Sequence, residues 1–464
     1  MSRALAALAP ARQSGGAFPY LWMSASISLL PSLGCGESDA WRHPSDVRAE
    51  PAADIATVVQ VSWRTDVATR GYVEYGPGPD MASSTPLEPT PSLEHAQLLL
   101  GLRAETPYSF RVVSWDGREA LASEVQSLST GGIPSDFPAF AQAGVGLEGY
   151  VVLPLREPSP GVVIVDAEGA VVWYHLDASG LEPLRARLSA DKSSVLYNET
   201  SMGDDPSETS AIVRVALDGS TARSLQVPFL AQDFLELPNN TLAALTSEPR
   251  DDGLRDDSIV EVDAAGNVTR VWSVSDCFDP AQIPGDGSAG GWARANALDY
   301  VDAADPTERA YYVSLRNFSS IVKILPETGE CSWVLGTTAG TIELAADSRA
   351  FVHQSGFDVY GNRLLVMDDG LASDASQVVE YELDLKAGTA AELQRYAEPS
   401  GSNVGELGGA TRLVDGRWFI DWAGLGRAEL VKDGASVWQL SADRAAFGYA
   451  TLAETLYAAP SRSP

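Results

Sequence analysis

The chain has 464 residues, enough for two or three domains and a sizeable core, and 45% of them are apolar, which excludes wholesale disorder. Against 63 acidic residues stand 32 basic ones, a formal charge of −31. That excess argues against nucleic acid as a partner, because phosphates need clustered cations, and against charge-driven adhesion to anionic lipid. No run of about 18 apolar residues lies beyond the N-terminal segment, so the pattern is not that of a polytopic helical membrane protein.

Residues 1–35 read as a signal and lipoprotein segment: Arg3 and Arg12 are its only charges, an apolar run follows, and it ends at Leu33-Gly34-Cys35. The Gly34-Cys35 junction predicts lipidation of Cys35, a membrane anchor and a place in the cell envelope, lipid-anchored, periplasmic or secreted. Ser32 stands where a leucine is expected; a start near Met23, or a mis-assigned start on a cytoplasmic protein, are the alternatives. Residues 36–53 are polar and aperiodic and read as a linker, with His43 solvated.

Residues 54–131 alternate apolar and polar side chains in short runs between Gly/Pro turns, as in VVQVSWRT and GYVEYGPG. The series, GLRAETPYSFRV above all, resembles a fibronectin type III-like β-sandwich, in which His95 is a structural histidine. TGGIPSDFPAF opens a second linker, 132–143.

From Gly144 to the end a loose repeat of about fifty residues sets a turn of the Asp-x-x-Gly kind between two β runs. It occurs at VDAEGAVVWYH, RVALDGSTARSL, EVDAAGNVTRVW, KILPETGECSW, YELDLKAGTAAEL and ELVKDGASVWQL. A sheet of about four strands cannot bury both faces alone, so six such turns predict an all-β ring, a six-bladed β-propeller over 144–464. With Cys35 modified, Cys277 and Cys331 are left as a possible disulfide; two unrelated buried thiols are the alternative.

Three pieces carry a more specific likeness: SLRNFSSIVKI, TGECSWVLG, and MDDG followed by SQVVEYELD. By these, residues of roughly 145–440 resemble the arylsulfotransferase family of bacterial β-propellers. The resemblance implies sulfuryl transfer from an aryl sulfate to a phenol, through a histidine nucleophile in the central cavity and without a cofactor. Imidazole suits that role because it is an uncharged nitrogen near neutral pH. The family frame W-x-H-x-N is Trp292-Ala293-Arg294-Ala295-Asn296 here, S-x-R-N is Ser314–Asn317, Q-H is Gln354-Ser355, and the His-His-Asp stretch is Ala231-Gln232-Asp233. The histidine positions of these frames are therefore vacant, while Asn296, Arg316 and Asp233 remain.

His353 is the candidate substitute nucleophile, since strand alternation would put it on the face of Ser355. The same alternation places Ser314 and Arg316 on one face, which the resemblance turns toward the axis. Arg294, Arg316, Asn296, Gln232 and Ser355 then form a pocket suited to clamping an anion, because guanidinium holds sulfate bidentately yet cannot act as nucleophile or acid. In the alternative, Arg294 pairs with Asp368 or Asp369 and staples two blades. His175 reads as a strand-edge residue, and no His/Cys/Asp/Glu spacing reads as a metal site. Three functions stay open: a catalytically degenerate propeller binding a small anionic or aryl sulfate-like ligand, an active sulfotransferase with a rearranged site, and a structural or interaction lipoprotein.

Overall fold

In the computed structural model, residues 43–201, 206–281, 291–371, 373–443 and 446–458 are described, so Cys35 and the signal segment lie outside the described residues. Strands account for nearly all regular structure, and the burial of each follows its place. Gly161–Asp166 and Trp418–Trp422 are buried from end to end, as strands covered on both faces must be, whereas the outer strand Ala222–Gln226 is mostly exposed.

Six sheets, antiparallel but for the short outermost strand Glu343–Leu344 of the fifth, form the blades of a β-propeller. Blade 2 is built from 182–226, blade 3 from 230–273, blade 4 from 295–336 and blade 5 from 343–397. Blades 1 and 6 close the ring with strands from both ends of the chain. Blade 1 holds Tyr150–Glu157, Gly161–Asp166 and Val171–Leu176, and takes its innermost strands, Ala446–Phe447 and Thr451–Ala453, from the C-terminal end. Blade 6 runs through Gly409–Ala442 and gains a fifth, outermost strand, Phe140–Gly144. That strand takes up the end of the expected linker 132–143, which is therefore partly a fastening of the ring.

The six repeated turns each join the third and fourth strands of one blade, counted from the ring's centre. Their aspartates explain the pattern: Asp166 Oδ1 accepts from the main-chain N of Glu168 and Ala170, and Asp263 Oδ1 accepts from Ala265 and Asn267. The glycines that follow, Gly169 and Gly266, both have φ of +88°, which a side chain would oppose. Cys277, just past blade 3, and Cys331, in the outer strand of blade 4, form a disulfide with Cα atoms 6.3 Å apart.

The N-terminal β-domain is organised by one long strand, Val59–Gly76. Its first half pairs with Ser45–Pro51 and Ser92–Leu99, and its second half with Pro107–Trp115. Val59, Val61, Trp63, Val73, Leu99, Phe110 and Val112 fill the space between. Ser45–Pro51 corrects the expected linker 36–53: it is an edge strand with mostly exposed polar side chains, so only its backbone pairing marks it. This domain is fastened to blade 1. Thr57 Oγ1 donates to Val172 O (2.8 Å), Arg103 Nε to Asp166 Oδ2 (2.7 Å), and Tyr457 from the C-terminal end accepts from Leu100 N and donates to Leu98 O, both at 2.9 Å.

Candidate functional site

The innermost strands of blades 2, 3 and 4 bring their charged side chains together around Asp233, which is fully buried. Buried Asn198 sets the approach: its Oδ1 accepts from the main-chain N of Leu184 and Arg185, while its Nδ2 donates to the carbonyls of Ala231 and Gln232. Arg185 thus meets Asp233 fork to fork, Nε to Oδ1 and Nη2 to Oδ2, both at 2.7 Å. Arg187 Nη2 and the main-chain N of Phe234 and Leu298 complete the carboxylate's shell. Burial pushes the Asp233 carboxyl up, but the charges of Arg185 and Arg187 outweigh it and hold the group below its usual range. The Arg185 guanidinium also lies 4.1 Å from the centre of the Tyr449 ring, whose hydroxyl donates to Asn296 O. Nearby Asp421 lacks so strong a partner, and burial pushes it up to about 7.

A second cluster holds most of the residues singled out by the sequence. Arg294 sits just before the inner strand of blade 4 with φ of +56°, and Arg316 follows the next strand. Main-chain bonds tie their turns together, Arg316 N to Arg294 O (3.1 Å) and Asn317 N to Ala293 O (3.0 Å). Both guanidiniums, and the Ser355 hydroxyl, bind successive residues of one loop. Arg316 Nη2 donates to Gly405 O (3.1 Å), Arg294 Nη2 to Glu406 Oε1 (2.9 Å), and Ser355 Oγ to Leu407 O (2.9 Å). The loop turns there by left-handed residues, with φ of +81° at Gly405, +61° at Leu407 and +93° at Gly408.

Behind these contacts the polar groups are incompletely matched. Gln354 Nε2 donates to Ser314 Oγ, Leu315 O and Ser320 O, and Asn296 Nδ2 donates to Gln354 O. Yet, among the described residues, Asn296 Oδ1, Gln354 Oε1, Asp369 Oδ2 and Arg316 Nε are all buried without a hydrogen-bond partner. Asp369 lies 3.3 Å from Ser355 Oγ. Burial pushes its carboxyl well up, against the opposing pull of Arg316, so its neutral form is favoured.

Several expectations are corrected by this geometry. Arg316 is not on the strand: Ala310–Leu315 ends before it, and Arg316–Phe318 is a tight 3-10 turn closed by Ser319 at φ +47°. Shared strand parity with Ser314 therefore has no meaning here. His353 and Ser355 do not share a strand either, because blade 5's first inner strand starts at Phe357 and His353 has φ of +52°. Ser355 is fully buried and His353 half-buried, with its main-chain N donating to Ser319 Oγ (3.1 Å). Arg294 pairs with Glu406 rather than with Asp368 or Asp369; Asp368 accepts from Arg395 Nη1 at 3.1 Å. Gln232 is nine-tenths buried at an irregular step in blade 3's inner strand, and among the described residues no hydrogen bond joins its side chain to the two arginines.

Glu406 and its loop had no sequence signal beyond the glycines of GSNVGELGG. The other histidines have structural surroundings: His95 is buried against Trp63 with Nδ1 2.6 Å from Glu88, and His175 packs between the rings of Trp173 and Tyr197. A cavity of about 670 Å³ lies away from the ring's centre, where the N-terminal domain meets the propeller, walled by Leu98, Leu100, Leu217 and Tyr457. Among the described residues no three His, Cys, Asp or Glu side chains are disposed to hold a metal ion, and no helix is long and apolar enough to cross a membrane.

Residues 150–351 match the family model for arylsulfotransferase (ASST). No curated protein matches the chain. Among solved structures, virginiamycin B lyase from Staphylococcus aureus is 12% identical over 64% of this chain and 88% of its own, with a TM-score of 0.37. The soluble aldose sugar dehydrogenase of Escherichia coli is 12% identical over 66% of this chain and 100% of its own, at 0.33. A hypothetical selenium-binding protein from Sulfolobus tokodaii is 14% identical over 78% of this chain and 92% of its own, at 0.37.

Proposed function

Since residues 150–351 belong to the arylsulfotransferase family, we propose that this propeller binds an aryl sulfate-like anion at Arg316 and does not transfer its sulfuryl group. One observation carries the reading. Among the described residues the Arg316 guanidinium has no carboxylate within ion-pair distance; it makes one bond to a neutral carbonyl, and its Nε is buried and unmatched. A half-buried cation left so is a binding element for an incoming anion.

The loss of transfer follows from what surrounds it. The positions that the resemblance assigns to imidazoles hold Ala231, Gln232, Arg294 and Ser355. A hydroxyl needs an adjacent base to become a nucleophile. The Ser355 hydroxyl donates to a carbonyl, and its neighbour Asp369 favours the protonated form, so neither group takes that proton.

The protein is further proposed to work in the bacterial cell envelope, anchored through lipidated Cys35, with its N-terminal domain a fibronectin type III-like sandwich. The Cys277–Cys331 disulfide supports an oxidising compartment. The test of the site is thermal unfolding in p-nitrophenyl sulfate against chloride at equal ionic strength. Binding to the folded state raises the midpoint with ligand concentration, and Arg316→Ala abolishes that rise. Equal responses of the two proteins would overturn the reading, and release of p-nitrophenol in the presence of phenol would overturn the loss of transfer.

A further inference from the structure

The charged groups at the Arg294–Arg316 cluster can be counted. Arg294 and Arg316 supply two positive charges. Glu406 supplies one negative charge, at 2.9 Å from Arg294. Asp368 is committed to Arg395 Nη1 and Gln377 Nε2, and Asp369 is buried beside Ser355 in a setting that favours its neutral form. Two guanidiniums less one carboxylate leave one net positive charge, and it resides on Arg316. The Glu406 side chain is 35% exposed and that of Arg294 13%, so the pair faces solvent on the carboxylate's side.

We propose that Glu406 is a specificity-determining residue, which lowers the charge of this pocket so that it takes monoanions, such as sulfate monoesters and sulfonates, in preference to dianions such as phosphate monoesters. This rests on the reading that Arg316 holds the anion, and it adds which anion. The physical basis is that Glu406 does two things at once. It neutralises Arg294, which would otherwise be a second cation for a doubly charged head group, and its own charge repels that head group at close range. Its hold is tied to the site residues themselves, because the neighbouring carbonyls of Gly405 and Leu407 are gripped by Arg316 and Ser355. The chain thus carries a fixed carboxylate beside the position where a ligand's charge is received.

The experiment compares two esters with the same aryl body by titration calorimetry at low salt, where screening is weakest. p-Nitrophenyl sulfate carries one negative charge; p-nitrophenyl phosphate carries close to two at about pH 7.5, since the second ionisation of a phosphate monoester lies near 6. The wild-type protein binds the sulfate ester about tenfold more tightly or better, a difference of about 1.4 kcal/mol. Glu406→Gln keeps the shape of the side chain, gives the pocket a second net positive charge, and removes or reverses that preference. The double variant Arg294→Gln/Glu406→Gln restores one net positive charge and with it the preference, which a merely disturbed loop would not do. If both esters bind and their ratio is the same in wild type and Glu406→Gln, the charge filter is wrong while the anion site stands. If neither ester binds either protein, both readings fall.

Discussion

Arg185 and Arg316 are both arginines near the centre of the same ring, both supplied by inner parts of a blade, and both near an aspartate. Their surroundings differ in what is matched. Arg185 forks onto Asp233 through two 2.7 Å bonds, and that carboxylate collects further donors from Arg187, Phe234 and Leu298. Arg316 has a carbonyl for a partner, and its nearby Asp369 leans to the neutral form. The lesson is that an arginine near a propeller axis is a staple or a receptor according to whether its charge has already been answered. Residue type and position alone do not separate the two.

The strongest way to break the comparison is at the staple. Asp233→Ala leaves the largely buried Arg185 and the half-buried Arg187 without their counter-charge, and losing one partner of a buried pair costs about 3–5 kcal/mol. Urea unfolding should show that loss; a cost below about 1 kcal/mol would mean the cluster is no staple.

A smaller effect belongs to Asp421, which stands near Arg185 but among the described residues takes only Ala450 N as a close donor, and is pushed up to about 7 by burial. A carboxyl with its folded value raised contributes stability that is full below its unfolded value, near 3.9, and lost as pH rises through about 7. The loss is at most roughly 4 kcal/mol, from about three units of pH. Asp421→Asn keeps an acceptor for Ala450 and cannot ionise. Its stability should therefore be close to wild type at about pH 3.5, exceed it increasingly as pH rises, and reach the full difference above about pH 7, with a flatter profile throughout. Asp233, held low, acts in the opposite sense: its contribution is lost only as pH falls below the ordinary carboxylate range. Parallel profiles for wild type and Asp421→Asn would remove the difference between the two aspartates.

The blades were readable because their turns are local. Asp166 and Asp263 bond to amides two and four residues on, so Asp-x-x-Gly betrays the turn wherever it falls. What was not readable has physical causes of three kinds. Ser45–Pro51 is an edge strand whose side chains bury little, so no apolar alternation records it. The run SLRNFSSIVKI reads as one continuous strand, but Ser319 takes the left-handed turn that sequence reasoning reserves for glycine, and Arg316 is moved off the sheet. Glu406 meets Arg294 across 112 residues of chain, a contact that no local pattern encodes. The identity of the site residues was therefore available in the family frame, while the groups that answer their charges were not.

The smallest expected effect is the most discriminating. Arg316→Ala removes one hydrogen bond to a neutral carbonyl, worth about 0.5–1.5 kcal/mol, and also removes a buried donor that had no partner, which offsets part of that loss. Gly405 keeps its left-handed turn, and Glu406 keeps Arg294, so the loop retains its other fastenings. Without ligand, urea unfolding of Arg316→Ala should fall within about 1 kcal/mol of wild type, in contrast with the several kcal/mol lost in Asp233→Ala. A loss near that of Asp233→Ala would make Arg316 a staple like Arg185, because only a charge already answered in the folded protein leaves so large a debt when it is removed.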